Sequence, residues 1–420
     1  MHCNFKNKEV SILKVKIKKD EVILLLLTYI LCLALFTNLA ILKDPIDAGA
    51  IKMGFIVCGL ITISQILIRK FYPEGDKFLI TFAGILSVIG IAILYRLDNG
   101  VAIKQLIWYG LGSIIFIISV VAIPDFRDFQ KYKKIFLILT IILMPMALIL
   151  GTELNGATNW VMIGGIGFQP SEFGKITFVL YLAAALKEYE DKNNIKEDFY
   201  QLWQPALVVM FSLGCLVMQK DLGSALIFFG IAITMLYVST GKKKYVVICF
   251  ILFIIGSFLA YKLFPHIRKR ILIWRHPWDY TKNESYQLVQ GLYAIASGGM
   301  FGSGLGQGYP GFVPINTTDF IFAAICEELG MVFGLGIMII YFLFFYRGMR
   351  AAFRVKNRFS QLTTIGLSAM IACQVLVIIG GVFAVIPLTG ITLPLISYGG
   401  SSMITMFFAL AILQKISEEG

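Results

Sequence analysis

Charge is what this chain has least of. Only 15% of its 420 residues are Asp, Glu, Lys or Arg, against about a quarter in an ordinary soluble domain. That shortfall excludes a free globular particle of this size, whose surface it could not cover. Histidine is scarcer still, with 3 residues (His2, His266 and His276), too few and too dispersed for a zinc site. The 7 cysteines, Cys3, Cys32, Cys58, Cys215, Cys249, Cys326 and Cys373, form no CxxC pair and sit mostly inside apolar runs. Neither a metal site nor a disulfide framework is indicated. No cleavable leader is evident, because the basic head runs directly into a full-length apolar span and reads as a retained anchor.

What is present is apolar. Hydrophobic residues make up 58% of the chain and the mean hydropathy is +0.80. Runs of about 17–25 apolar residues, the length a helix needs to cross hydrocarbon, recur from end to end. They resolve into about twelve candidate spans, near 22–42, 52–69, 77–95, 106–123, 134–151, 172–187, 204–218, 222–240, 245–264, 320–346, 362–386 and 399–414. The expected fold class is an all-α integral membrane protein, a polytopic helical bundle with one large external loop. The sixth and seventh spans are short and read as tilted or partly interfacial.

The net charge of +12 does not point to nucleic acid, because of where it lies. Lys6, Lys8, Lys14, Lys16, Lys18 and Lys19 precede the first span. Arg69 and Lys70, the stretch Arg127 to Lys134, Lys242 to Lys244, and Arg347 to Arg358 fill connections between spans. Short basic clusters of this kind are retained on the cytoplasmic side and touch anionic lipid. They set both termini in the cytoplasm and the odd-numbered connections outside. Residues 188–200 read as a mixed-charge internal connection, with no sign of a catalytic domain.

Three outside segments are rich in Gly, Pro, Trp and Tyr: 152–171, 265–319 and 387–402. Such composition suits ordered loops folded back on the bundle mouth. The long one carries Arg268, Lys269, Arg270, Arg275 and Lys282 against the charge rule. Those cations suit either phosphate recognition, through paired guanidinium hydrogen bonds, or salt bridges to Asp279 and Glu284 and contact with outer-leaflet lipid.

Ionisable groups near membrane depth are functional candidates because an unpaired one is costly there. Glu172 and Lys175 open the sixth span at i,i+3 and can pair, either in a site or merely to stabilise a helix start. Asp221 and Asp319 each precede a span, where an N-cap belongs, so capping competes with chemistry at both. Glu327, with Glu328 beside it, lies too deep for a cap and needs a buried partner, a protonated state or a polar cavity. Glu172, Lys175, Asp221, Asp319 and the arginine-bearing loop fall at one level, the outer mouth. A carboxylate base with cations suits displacement at a sugar carbon bearing a phosphate leaving group.

An ordered series of motifs then adds a resemblance. NGATNW and GFQPSEFGK (155–175), QKDLGSAL (219–226), YQLVQGLYAIASGGMFGSGLGQG (286–308), TDFIFAAICEELG (318–330) and IPLTGITLPLISYGGSS (386–402) resemble the FtsW/RodA/SpoVE proteins, the SEDS family of shape, elongation, division and sporulation. The resemblance covers roughly residues 77–415. It implies a ten-span core, with residues 22–76 as two additional helices between a basic head (1–21) and the core, and a short tail at 416–420. It implies a peptidoglycan glycosyltransferase that polymerises lipid II at the outer face of the bacterial cytoplasmic membrane, with Asp319 as the catalytic residue. Glu172, Lys175, Asp221, Arg268, Arg275, Asn155, Trp160, Gln169, Ser397 and Ser401 are the substrate-binding residues it suggests. The implied partners are lipid II, membrane lipids and a class B penicillin-binding transpeptidase. No dedicated cofactor set is visible, and a divalent ion (Mg or Mn) is the one assistant the chemistry leaves room for. Asn159 stands where the family often has Arg, Lys220 where Pro is usual, and Ile378 where many members have Asn. Two rival functions use the same features: a lipid II flippase, for which no clear inverted repeat is seen, and a non-catalytic scaffold, which would not need Asp319.

Overall fold

The computed structural model describes residues 19–123, 125–154, 156–192, 194–281 and 285–419. The chain opens with helices α1 (Lys19–Ile41), α2 (Ala48–Phe71), α3 (Lys77–Leu97), α4 (Asn99–Ala122) and α5 (Lys133–Leu150). Three short strands follow, β1 (Thr152–Leu154), β2 (Ala157–Ile163) and β3 (Ile166–Phe168). Next come α6 (Pro170–Leu186), α7 (Ile195–Met218), α8 (Leu222–Thr240) and α9 (Lys243–Leu263). The last helices are α10 (Pro265–Arg275), α11 (Tyr286–Gly298), α12 (Ile321–Arg354), α13 (Arg358–Val382) and α14 (Gly400–Glu419). Each of the expected spans is a helix. Among the described residues 11 helices are long and apolar enough to cross a membrane; α6, at 17 residues, falls just short.

Local chemistry sets where the helices begin. Asp47, Asp76, Asp98, Asn194, Asp221 and Asn357 each cap a helix start, accepting backbone N–H groups of the first turn that have no partner inside the helix. Burial then sorts the helices. α3 is buried on every face from Leu79 to Tyr95, as an all-round apolar helix must be at the centre of a bundle. Its Gly90 meets the backbone of Ile396 so closely that any added Cβ would stand 2.6 Å from that carbonyl oxygen. α9 contributes no buried residue at all and forms a lipid-facing periphery.

Two expected loops have regular structure. Residues 152–168 form a three-stranded antiparallel sheet in the order β1-β2-β3, with Val161 opposite Phe168 and Met162 opposite Gly167. The turn between β2 and β3 is Gly164-Gly165, both at positive φ (57° and 83°), the two-residue hairpin geometry that matches strand twist. The 265–319 segment contains α10 and α11 rather than irregular chain.

α12 is broken. Gly330 adopts φ 87° and ψ 165° inside it, a region open to glycine. Each backbone group left unpaired in lipid costs several kcal/mol, and the 299–304 stretch supplies partners. Ser303 N and Gly304 N donate to the Glu327 and Glu328 carbonyls at 2.9 Å each, while Met331 N and Val332 N donate to Gly299 O and Met300 O at 3.0 and 3.1 Å. Glu327 and Glu328 find their partners in the same loop and on α3. Tyr309 N donates to Glu327 Oε1 at 2.7 Å, and Glu328 pairs with Arg96 at 3.1 Å and accepts from Gly306 N at 3.0 Å.

The opposite end is tied by side chains. Glu418 accepts from Gly75 N at 2.9 Å, Ser360 donates to Glu419 at 3.1 Å, Arg347 pairs with Asp76 at 3.2 Å and Lys242 with Asp198 at 2.6 Å.

Candidate active site

One cavity of about 810 Å³ opens at the sheet-bearing end of the bundle. Its wall is assembled from β2, from the starts of α6, α8 and α12, from one face of α10, and from the 388–400 stretch. Asp319, Asp221, Glu172, Trp160 and Gln169 all line it, although they come from four separate stretches of chain.

Asp221 is committed. Its carboxylate caps α8 through Ser224 N at 3.0 Å and takes Ser224 Oγ at 2.8 Å. It also accepts from Asn159 Nδ2 at 3.2 Å and Gln169 Nε2 at 3.4 Å. Asp319 is not committed in this way. The residue in the N-cap position of α12 is Phe320, and no side chain caps that helix. Burial pushes the Asp319 carboxyl up to about 6, against the pull of a Thr318 hydrogen bond and the Arg270 charge. A carboxyl near that value is mostly ionised at neutral pH yet basic enough to take up a proton, the poise a general base needs.

Glu172 and Lys175 pair at 2.8 Å, as their spacing predicts. Lys175 is buried behind the wall, held also by Gln374 Oε1 at 2.8 Å, and Thr405 Oγ1 donates to Glu172 Oε2 at 3.2 Å. Ser397 and Ser401 do not face the cavity. Ser397 Oγ donates to Thr318 O at 2.6 Å, next to Tyr398 N donating to Thr317 O at 3.0 Å, so this stretch pins the backbone just before Asp319. Ser401 Oγ accepts from Gln169 N at 3.3 Å and fixes the entry to α6. Asn155 lies outside the described residues.

The arginine that reaches the cavity is Arg270; Arg268 and Arg275 are exposed and lie outside its lining. Helical geometry explains the choice. At 100° per residue, Arg270 shares a face with Ile273 and Trp274, whereas Arg268 and Arg275 turn away from it. That face is stapled to the neighbouring segment: Trp274 Nε1 donates to Ala384 O at 2.7 Å, and Arg270 Nη1 to Leu388 O and Thr389 O at 3.4 Å each. Burial draws the guanidinium below its usual range, with the charges of Asp221 and Asp319 acting against that shift. The amphipathic pattern of 265–275 was the available signal for Arg270. Lys104, Asn159 and Lys220 also line the cavity, and were not among the predicted binding residues. Among the described residues no group of three or more His, Cys, Asp or Glu side chains comes together as a metal site.

A family model described as a cell cycle protein of the FtsW, RodA and SpoVE type matches residues 76–420. The chain belongs to this family. The match leaves α1 and α2 outside it. The chain is 33% identical over 398 residues to the peptidoglycan glycosyltransferase RodA of Mycobacterium tuberculosis, covering 89% of this chain and 84% of that one. It is 33% identical over 360 residues to stage V sporulation protein E of Bacillus subtilis, covering 81% and 96%. A solved peptidoglycan synthase complex, described as structural coordination of polymerization and crosslinking, contains a chain that superposes with a TM-score of 0.71. Identity there is 25%, over 82% of this chain and 97% of that one. All five FtsW/RodA/SpoVE motifs, 155–175, 219–226, 286–308, 318–330 and 386–402, contribute residues to the cavity lining.

Proposed function

We propose that this membrane protein is a peptidoglycan glycosyltransferase that polymerises lipid II, with Asp319 as general base. The observation that carries the reading is the carboxyl of Asp319, which caps no helix and lies in a cavity that also holds Arg270, where burial raises it to about 6. In the reaction Asp319 takes the proton from the 4-hydroxyl of an acceptor N-acetylglucosamine. That oxygen attacks the anomeric carbon of a donor N-acetylmuramic acid from the face opposite its leaving group. The carbon–oxygen bond to the diphosphate breaks, and undecaprenyl diphosphate departs with the bonding pair. The configuration inverts and one glycosidic bond replaces one glycosyl phosphate bond.

Arg270 offsets the charge that grows on the departing oxygen, and the buried Glu172–Lys175 pair keeps the floor of the site polar without adding net charge. Any divalent ion, Mg or Mn, arrives on the diphosphate of the substrate; titrating the assay with EDTA measures its share. The basic connections support a topology with the termini in the cytoplasm and the cavity on the outer face of the bacterial cytoplasmic membrane. A class B penicillin-binding transpeptidase that crosslinks the product is the partner this reading requires, and the description of the solved synthase complex supports it.

Purified protein incubated with labelled lipid II provides the test. The expected result is glycan polymer and free undecaprenyl diphosphate. Movement of lipid II across vesicle membranes without polymer would replace the reading with transport, and neither result would leave a scaffold.

A further inference from the structure

Lys220 occupies a position that its own backbone does not favour. α7 ends in a Schellman arrangement: Asp221 N donates to Leu216 O at 2.9 Å and Lys220 N to Val217 O at 3.1 Å, with Lys220 in the left-handed region at φ 63°. That position ordinarily falls to glycine, which has no Cβ to strain there. The chain follows the ordinary choice at the end of α8, where Gly241 closes the helix at φ 67°. A lysine in a backbone position that suits glycine points to a task for its side chain.

The side chain lines the cavity and is paired with Glu153 of β1 at 3.0 Å. Both partners are solvent-accessible, at 36% and 58%, so the pair is weak and readily exchanged. The buried Lys175 has no such freedom. Lys220 also acts on the same neighbour as Arg270. Burial first, then the charges of Arg270 and Lys220, hold the His266 imidazole on α10 below its usual range, and both cations line the one cavity. Thr389 completes the surroundings. It is 6% exposed, its hydroxyl finds no hydrogen-bond partner, its carbonyl accepts from Arg270, and its Cβ lies 3.0 Å from where a Cβ on Gly223 would stand, in the first turn of α8. Two cations and an unused hydroxyl around one helix start form a receptor for an anion with several oxygens.

We propose that Lys220 is a substrate-binding residue that leaves Glu153 to grip the diphosphate of the lipid-linked donor, opposite Arg270 and beside the Thr389 hydroxyl. This rests on the glycosyltransferase reading and adds to it the residue that holds the leaving group. Glu153 then serves as a placeholder, occupying the ammonium until the diphosphate displaces it.

The test uses the two halves of one ion pair. Lys220→Gly, Lys220→Arg and Glu153→Gln are assayed for polymerisation in zwitterionic vesicles, with undecaprenyl diphosphate as inhibitor. Glycine fits the left-handed backbone, so Lys220→Gly folds. It is expected to raise KM for lipid II and the inhibition constant of undecaprenyl diphosphate about tenfold each, with kcat changed far less. Lys220→Arg is expected to restore both. Glu153→Gln is expected to lower KM about two- to threefold, because the competing carboxylate is gone. If the pair only staples the sheet to α7, both neutral variants move KM in the same direction, and the proposal fails. It fails also if KM rises without the inhibition constant, which would assign the cation to the stem-peptide carboxylates. An effect that appears only when anionic phospholipid is added would assign it to a headgroup. Should the parent protein not polymerise lipid II at all, direct binding of undecaprenyl diphosphate to parent and Lys220→Gly still decides the question; equal affinity overturns it.

Discussion

The starts of α8 and α12 look alike in sequence and differ in structure. Each places an aspartate before an apolar span, and both side chains line the same cavity. Asp221 spends its oxygens on the first turn of α8, on Asn159 and on Gln169. Asp319 sits one residue further from its helix, behind Phe320, and keeps its carboxyl for the cavity. A single-residue offset from the N-cap thus separates a carboxylate that builds the wall from one that can exchange a proton.

Substitution can break that contrast. The largest effect is expected for Asp319→Asn, which should lower lipid II polymerisation by about 10²–10⁴-fold. Asp221→Asn, which keeps a capping oxygen, should fold normally and retain far more activity. Equal loss in both, with folding intact, would erase the distinction. Next comes the buried pair behind both aspartates. Lys175→Met strands Glu172 and should cost about 3–5 kcal/mol, seen as a lower unfolding temperature in detergent; adding Glu172→Gln should recover most of it.

Asp319→Asn has a second expected outcome, of opposite sign to its effect on activity. The carboxyl of Asp319 rises from an ordinary 3.8 to about 6 in the fold. Between those values the folded state holds a proton that the unfolded state has released, so stability falls as pH rises through that window. Above it the ionised group costs up to about 3 kcal/mol, and the asparagine variant should therefore unfold at higher temperature than the parent at pH 7. The same value sets the pH profile: kcat/KM should fall about tenfold between pH 7 and pH 5 as the base is protonated, and a flat profile would remove Asp319 as base. Smallest is the loss of the α8 cap. Asp221→Ala should cost about 1 kcal/mol, measurable by chemical denaturation in detergent.

The sequence carried the spans because lipid demands long apolar helices, and it carried the Glu172–Lys175 pair because i,i+3 spacing fixes a shared face. Asp221 as a cap was equally readable from Leu222 onward. The sheet at 152–168 was less so. Its Gly164-Gly165 turn is a recognised hairpin signal, but its strands are too short to show alternation. Selecting Arg270 over Arg268 and Arg275 required knowing that 265–275 is helical and which side faces inward. Ser397 and Ser401 were drawn to the site by their motif, yet their hydroxyls hold backbone at Thr318 and Gln169. A backbone partner leaves no mark in a sequence. Gly330 likewise reads as one more glycine in an apolar run until the 299–304 stretch is seen against it.

That break has a mechanical consequence. A straight rod of 34 residues would transmit every change of bilayer thickness, or every push from a neighbouring helix, to the residue at its head. The break at Gly330 instead divides α12 into a short segment behind Asp319 and a long one beyond it, and the 299–304 stretch bonds to both sides of the joint. A load arriving along the long segment therefore meets a second set of backbone bonds at the joint before it reaches the turn that carries Asp319, and that turn is itself held by Ser397 and Tyr398.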